Sequence, residues 1–134
     1  MAYAPIIRFT AQQVSHAIIT AAVKAHTELG PGLLESTYTA CLQYELGRAG
    51  VQSAAQVGVV YCGVKLELCC RIDLLVEELV VVEIKSVEAI APIHQAQILS
   101  CLKLSGKSLG LLINFNVVHL KDGIKRFVNG TDWK

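Results

Sequence analysis

Charged residues are scarce in this sequence. Only 17% of its 134 residues are Asp, Glu, Lys or Arg, whereas 53% are hydrophobic. Disordered chains combine high charge with low hydrophobicity, so this composition excludes a largely disordered protein. The length is typical of one domain, and we expect residues 1–134 to form a single unit with its own core. Such high hydrophobicity also favours a homo-oligomer whose subunits cover each other's apolar surface, and a well-packed monomer is the alternative.

Membrane and secretion signals are missing as well. The apolar stretch from Ser108 to Leu120 is too short to span a bilayer, and Asn114 and Asn116 interrupt it. The first residues lack the basic-then-apolar layout of a signal peptide. The sequence therefore predicts a cytoplasmic protein that does not bind membranes.

Neither the cysteines nor the net charge indicates a binding site. The five cysteines are odd in number and no two have C-x-x-C spacing, so buried reduced thiols are expected rather than a zinc site or a disulfide framework. The net charge of +1 is a weak electrostatic footprint for a nucleic-acid-binding protein. A local basic patch or an oligomer can still supply the attraction, so charge alone argues neither way.

Helical periodicity fills the first third of the chain. Thr10, with Gln13 three residues later, forms a capping box that predicts a helix from about Ala11. The Gly-Pro-Gly sequence at residues 30–32 ends it, and a second helix is predicted for residues 33–48.

Strand patterns dominate the remainder, with one further helix. The predicted strands are residues 57–61, 65–76, 79–85 and 109–115, a third helix covers residues 93–104, and residues 117–120 and 124–128 around Asp122-Gly123 predict a terminal hairpin. The order α-α-β-β-β-α-β plus a C-terminal β-hairpin predicts an α/β (α+β) fold, in which a mixed β-sheet is flanked by helices.

Two carboxylates lie inside the apolar strands, where they are costly to bury. Asp73 is in one strand and Glu83 in the next, and Glu83 shares a face with Lys85 two residues later. In an antiparallel pair, Asp73 lies opposite Glu83 only when Val76 pairs with Val80. A two-residue loop would put Glu83 on the far side, so we predict an odd-length turn or a bulge here.

Such a pair of carboxylates favours a hard divalent cation, Mg²⁺ or Mn²⁺. The carbonyl of Ile84 could be a third ligand. A cation there activates water and binds a phosphate oxygen, and Lys85 would stabilise the negative charge that develops. A buried ion pair without chemistry is the alternative, and these residues alone leave both interpretations open.

The pattern Asp73, then Glu83-Ile84-Lys85, resembles the D…(D/E)-x-K signature of the PD-(D/E)XK nuclease superfamily, and the order of elements matches the restriction-endonuclease-like core of that superfamily. Residues 32–38, GLLESTY, also resemble the namesake motif of the GxxExxY family of small bacterial proteins within it. Further similar segments are residues 26–31, 97–103, 110–115 and 121–126, so the resemblance covers about residues 10–128. Two residues depart from the pattern: Ile72 replaces a frequent Pro or Gly, and Cys101 a frequent Tyr.

The resemblance implies a Mg²⁺-dependent nuclease acting on DNA or, less often, RNA. Asp73 and Glu83 would bind the metal and Lys85 would assist the attacking water. Glu35 would be an additional metal ligand, although a carboxylate in the first turn of a helix is favourable for dipole reasons alone. Gln95 or Gln97 would contact water or phosphate, and the family pattern favours Gln97.

Three further residues are possible accessories to the site, each with a structural alternative. Tyr38 is expected to be half-buried with a hydrogen-bonded hydroxyl, His26 to make a structural hydrogen bond, and His94 to be a solvated residue at the start of its helix. A basic set could follow a phosphate backbone or simply be solvated: Lys103, Lys107, Lys121, Lys125 and Arg126. The alternative functions are a non-catalytic nucleic-acid-binding module and an oligomeric assembly module that retain the nuclease fold.

Overall fold

The fold consists of three α-helices, one short 3-10 helix and seven strands in the described part of the chain. The computed structural model describes residues 9–65 and 71–130. Its helices are α1 (Ala11–Leu29), α2 (Glu35–Arg48) and α3 (Pro92–Ser105), with a 3-10 helix at Leu120–Gly123. Its strands are β1 (Ser53–Gly58), β2 (Val60–Tyr61), β3 (Val64–Lys65), β4 (Arg71–Val76), β5 (Val80–Lys85), β6 (Leu109–Asn114) and β7 (Ile124–Val128). No helix in the described ranges is long and apolar enough to cross a membrane.

The predicted capping box starts α1. The Gln13 amide donates to the Thr10 hydroxyl (3.2 Å), and the Thr10 amide donates to the Gln13 side chain (3.0 Å). Gly30 ends the helix with a positive φ of 70°, which glycine adopts without strain. The second helix begins two residues later than predicted, since Leu34 is extended (φ −72°, ψ 150°).

A five-stranded mixed sheet forms the centre of the fold, in the order β1-β4-β5-β6-β7. Residues 77–79 form the turn between β4 and β5, and Val76 pairs with Val80. This register confirms the predicted odd-length turn, which Glu77 and Glu78 make possible by adopting positive φ angles of 52° and 58°. After β5 the chain crosses over through α3 and returns as β6, which pairs parallel to β5.

Helices cover both faces of the sheet. Side chains of α1 and α2, including Ile18 and Leu42, pack on one face with Val82 and Leu111. On the other face the α3 residues Ile98 and Leu102 pack with Val81 and Leu112. This arrangement confirms the predicted fold class, a mixed α/β sheet flanked by helices, and it explains why β5 and β6 are almost continuously apolar.

Two predicted strands differ from the structure. Residues 57–61 divide into β1 and β2, because Val59 turns inward and is buried against the α3 side of the sheet. The short strands β2 and β3 then form a separate hairpin around the predicted Cys62-Gly63 turn. Of the predicted strand 65–76, residues 71–76 form β4, whereas residues 66–70, with Cys69 and Cys70, lie outside the described part of the chain.

The predicted terminal hairpin is wrong in its first strand. Residues 116–119 form no strand, and Leu120–Gly123 is a 3-10 helix whose Leu120 is buried in the core. The second strand, β7, pairs antiparallel with β6 instead, from Ile113 opposite Ile124 to Leu109 opposite Val128. Burying Leu120 and pairing the open edge of β6 removes more apolar surface from water and forms more backbone hydrogen bonds than a two-stranded hairpin in solvent would.

Gly123 is the position of closest backbone approach in this connection. A Cβ added there would collide with the backbone carbonyl oxygen of Asn114, whereas a Cβ at Gly47 in α2 would meet no atom within 4 Å. We therefore expect Gly123→Ala to lower the free energy of unfolding by about 1–3 kcal/mol, as overpacking does. Gly47→Ala, the matched control in the last turn of α2, should leave the free energy of unfolding unchanged or raise it by up to about 0.5 kcal/mol, because alanine loses less conformational freedom than glycine in a helix. Urea unfolding of both variants checks this, and equal stability of the two would contradict the described contact.

Candidate active site

A cavity of about 400 Å³ lies between β4, β5 and the first turns of α3. It brings together four residues that the sequence analysis selected as catalytic: Asp73, Glu83, Lys85 and Gln97. The other side chains in its wall are Arg71, Ile93, Ala96, Ser100 and Cys101. Groups that are 24 residues apart in the sequence, Asp73 and Gln97, therefore share one opening.

The regular pairing of β4 is interrupted at Asp73. Its ladder with β5 ends at Leu74 opposite Val82, and its ladder with β1 includes Ile72 and Leu74 but omits Asp73. Ile72 and Leu74 also pack on opposite faces of the sheet, although residues two apart in a regular strand share a face. The Asp73 carboxylate replaces the missing ladder contact, since its Oδ2 accepts the Ile84 N–H at 2.8 Å.

Glu83 is the most perturbed group in the cavity. It is only 9% exposed, and its Oε1 is buried without a hydrogen-bond partner in the described part of the chain. Burial, the charge of Asp73 and a hydrogen bond to the Asp73 carboxyl raise the pKa of Glu83 from 4.5 to about 8, and the Lys85 ammonium partly opposes them. Two carboxyl groups thus sit side by side with too little positive charge to keep both ionised.

Comparison with known proteins decides the family. A family model described as the PD-(D/E)XK nuclease superfamily matches residues 12–127. The chain belongs to this superfamily. Its nucleases typically use divalent metal ions. No curated protein and no solved structure matches the chain, and membership of the GxxExxY family stays a prediction.

The carboxylates of this PD-(D/E)XK chain suit a hard divalent cation. An unpartnered, buried Glu83 oxygen beside the Asp73 carboxylate is a site where a cation would relieve both desolvation and repulsion. Within the described ranges, no three His, Cys, Asp or Glu side chains are grouped to hold a metal. Mg²⁺ needs only one or two protein carboxylates, because waters and substrate complete its shell.

The backbone of Ile84 has the orientation that its predicted role requires. In a strand, the N–H and C=O of one residue point towards the same neighbouring strand. The Ile84 N–H points to Asp73 on β4, so its carbonyl points the same way, whereas the Lys85 carbonyl points to β6 and accepts the Phe115 N–H (2.9 Å). The Ile84 carbonyl as a metal ligand remains a prediction.

Glu35 makes a different contact from the one predicted for a metal ligand. Its Oε1 accepts the Ser86 N–H at 3.3 Å, while the Ser86 hydroxyl donates to the Leu33 carbonyl at 2.6 Å. These bonds fasten the start of α2 to the residue that follows Lys85. Glu35 also lines a second cavity of about 390 Å³ together with Asp73, so its role as an additional ligand stays a prediction.

Tyr38 and His26 are occupied by structural contacts. The Tyr38 hydroxyl donates to the Gly30 carbonyl (2.6 Å) and accepts the Leu33 N–H (3.2 Å), and its ring stacks on Phe115 at 4.4 Å. Tyr38 is fully buried rather than half-buried, because it closes the Gly-Pro-Gly turn over the core. The buried His26 donates from Nε2 to the Val117 carbonyl at 2.8 Å.

The polar residues at the start of α3 divide between capping and the cavity. His94 accepts the Ala91 N–H at its Nδ1 (3.0 Å), which caps the helix. Gln97 lies in the cavity wall, whereas Gln95 is half-buried and is not among the wall residues. This placement agrees with the preference for Gln97, although the contact of Gln97 with water or phosphate is untested.

Arg71, Ser100 and Cys101 line the cavity but were not selected from the sequence. Arg71 precedes Asp73 by two residues on β4, and Cys101 follows Gln97 by four residues on α3. Cys101, which replaces a frequent Tyr of the family pattern, shares a helix face with Gln97, because positions four apart on a helix lie on one side. Strand and helix spacing from the selected residues were signals that could have identified all three.

The perturbed Glu83 predicts how the stability of the metal-free protein depends on pH. Glu83 stays protonated in the folded chain up to about pH 8, whereas it ionises above its ordinary pKa of 4.5 once unfolded. The stability from this group is therefore complete below about pH 4.5 and is lost as the pH rises through about 8. Glu83→Gln, which cannot ionise, should lose less stability than wild type between these pH values in urea unfolding with EDTA. The exposed Glu88→Gln control should follow wild type, and identical pH profiles for wild type and Glu83→Gln would contradict the described environment.

Proposed function

We propose that this chain is a metal-dependent nuclease that hydrolyses phosphodiester bonds, with DNA as the preferred substrate and RNA as the lesser one. The observation that carries the proposal is the adjacency of the Asp73 and Glu83 carboxylates where β4 and β5 part, with Lys85 in the same cavity. Membership of the PD-(D/E)XK superfamily supports this reading of the signature residues.

Asp73, Glu83 and the Ile84 carbonyl would hold Mg²⁺ or Mn²⁺. When bound, such a cation polarises the phosphate and acidifies a water molecule. Asp73 is held in place for this role by the Ile84 N–H, which donates to its Oδ2. The burial of Glu83 means that water competes weakly for its carboxylate, and its Oε1 would be an acceptor for the cation.

Lys85 and Gln97 would act on the substrate. Lys85 lies two residues beyond Glu83 on the same strand face, half-buried and close enough to lower the pKa of Glu83. Its ammonium group can offset negative charge that grows on the phosphate or on the attacking oxygen. Gln97 faces this position from α3, and its amide can orient water or a phosphate oxygen.

Cleavage assays test the proposal directly. With Mg²⁺ or Mn²⁺, wild type should cleave DNA, and EDTA should abolish cleavage. Asp73→Asn, Glu83→Gln and Lys85→Ala should each lower the rate by about 10²-fold or more, as the loss of groups that stabilise the transition state does. The controls are Glu88→Gln, an exposed carboxylate in the segment after β5, and Lys24→Ala on α1, which pairs with Glu45 instead (3.2 Å). Unchanged cleavage in all three site variants would refute the mechanism.

A non-catalytic nucleic-acid-binding module that retains the nuclease fold is the second candidate, because the superfamily match covers the fold and does not require turnover. Calorimetry with Mn²⁺ separates the two. The nuclease should bind Mn²⁺ and Asp73→Asn should lose that binding, with Glu88→Gln as the control. A titration of wild type without heat, alongside retained binding of nucleic acid, would instead identify the module.

A further inference from the structure

Four exposed apolar side chains lie on the β2–β3 hairpin and at the start of α3. Val60 and Tyr61 on β2, Val64 on β3 and Ile93 in the first turn of α3 are 52%, 55%, 58% and 60% exposed. Ile93 is also part of the cavity wall. We call this set the apolar rim. Such exposure is unfavourable in water, so a function is expected where it lies next to a candidate active site.

The backbone fixes the rim beside the site. Gly58, the last residue of β1, pairs with Arg71, which lines the cavity. The next residue, Val59, is buried against the α3 side of the sheet with Ile98, so the β2–β3 hairpin leaves the sheet next to Arg71 and lies against α3. The hairpin thus leaves the sheet beside Arg71, a residue of the cavity wall.

The rim is too small to be a subunit interface by itself. A stable protein–protein interface takes about 800 Å² from each partner, and four partly exposed side chains fall well short of that. The rim also adjoins a guanidinium group: Arg71 is exposed and has no ion-pair partner within residues 9–65 and 71–130. Apolar and aromatic surface beside an unpaired cation matches a ligand that has both flat apolar faces and phosphates.

Only unpaired nucleotides expose their base faces. In a duplex the base faces are covered by their stacked neighbours, so apolar and aromatic side chains find no base face to contact there. We propose that the apolar rim binds bases of single-stranded nucleic acid, with Tyr61 stacking on a base and Arg71 contacting a phosphate. The substrate class would then be single strands or locally unpaired segments, an inference that rests on the proposed nuclease function.

Binding without cleavage tests the rim separately from the chemistry. In EDTA, fluorescence anisotropy with a labelled single strand of about 20 nucleotides, longer than common single-strand sites, should show tighter binding than with the matching duplex. Tyr61→Ala should weaken single-strand binding on the order of tenfold, the effect of losing one stacked base, while Tyr61→Phe should retain it. The matched control is Tyr44→Ala: Tyr44 is 63% exposed on α2, away from the cavity, and should not contribute.

Salt dependence tests the role of Arg71. If Arg71 contacts one phosphate, Arg71→Ala should make the slope of log affinity against log salt shallower by about 0.7, the value for one contact in a single strand. Tyr61→Ala should leave that slope unchanged, because stacking releases no counterions.

Several results would overturn the inference. These are no binding of the single strand by wild type, equal binding of single strand and duplex, or equal effects of Tyr61→Ala and Tyr44→Ala. A dimer that Tyr61→Ala dissociates in sedimentation without weakening nucleic-acid binding would assign the rim to a second copy of the chain. If single-strand binding depends on Tyr61 but no cleavage occurs, the nuclease proposal is refuted and the proposed role of the rim stands. If cleavage occurs and neither binding nor cleavage depends on Tyr61, the proposed role of the rim is refuted and the nuclease proposal stands.

Discussion

The hydrogen bond from the Ile84 N–H to the Asp73 carboxylate is the contact on which the candidate site depends. An amide in the middle of a buried strand must find an acceptor, and normally the neighbouring strand provides its carbonyl. Here the Asp73 side chain provides it at 2.8 Å, just past the end of the regular ladder at Leu74 and Val82. The two strands can therefore separate at this point without leaving the Ile84 N–H unsatisfied. The space between them holds the Asp73 and Glu83 carboxyl groups.

Much of the surrounding structure keeps the end of β5 in position. The Asn114 side chain accepts the Val87 N–H (3.1 Å) and donates to the Val87 carbonyl (2.9 Å), which fixes the chain just after the signature lysine. Glu35 accepts the N–H of Ser86 from the opposite side, at the start of α2. Because both contacts are to the backbone, they hold the segment after β5 whatever side chains it carries. Rigid support of this kind is what a site with two adjacent carboxylates needs, since otherwise the groups would move apart to reach water.

The requirement that Asp73 and Glu83 share a face predicted an odd-length turn between their strands, and the pairing of Val76 with Val80 confirms that turn. Local signals also identified the capping box of α1 and the Gly-Pro-Gly break. Partner choice was harder: β7 pairs with β6, because burial of Leu120 and an open sheet edge outweigh the local hairpin pattern. Strand and helix spacing from Asp73 and Gln97 could have placed Arg71 and Cys101 in the cavity wall, whereas the break in the ladder at Asp73 depends on how β4 meets its neighbouring strands, which no local pattern encodes.

The central claim is that Asp73 and Glu83 share one divalent cation. Anomalous diffraction from crystals of the full chain soaked in Mn²⁺ tests it most directly. The account predicts a single strong peak at about 2.0–2.3 Å from an oxygen of each carboxylate, with the Ile84 carbonyl in the same shell. A soaked crystal in which Glu83 remains without a ligand, or in which the manganese lies away from Asp73, would contradict it.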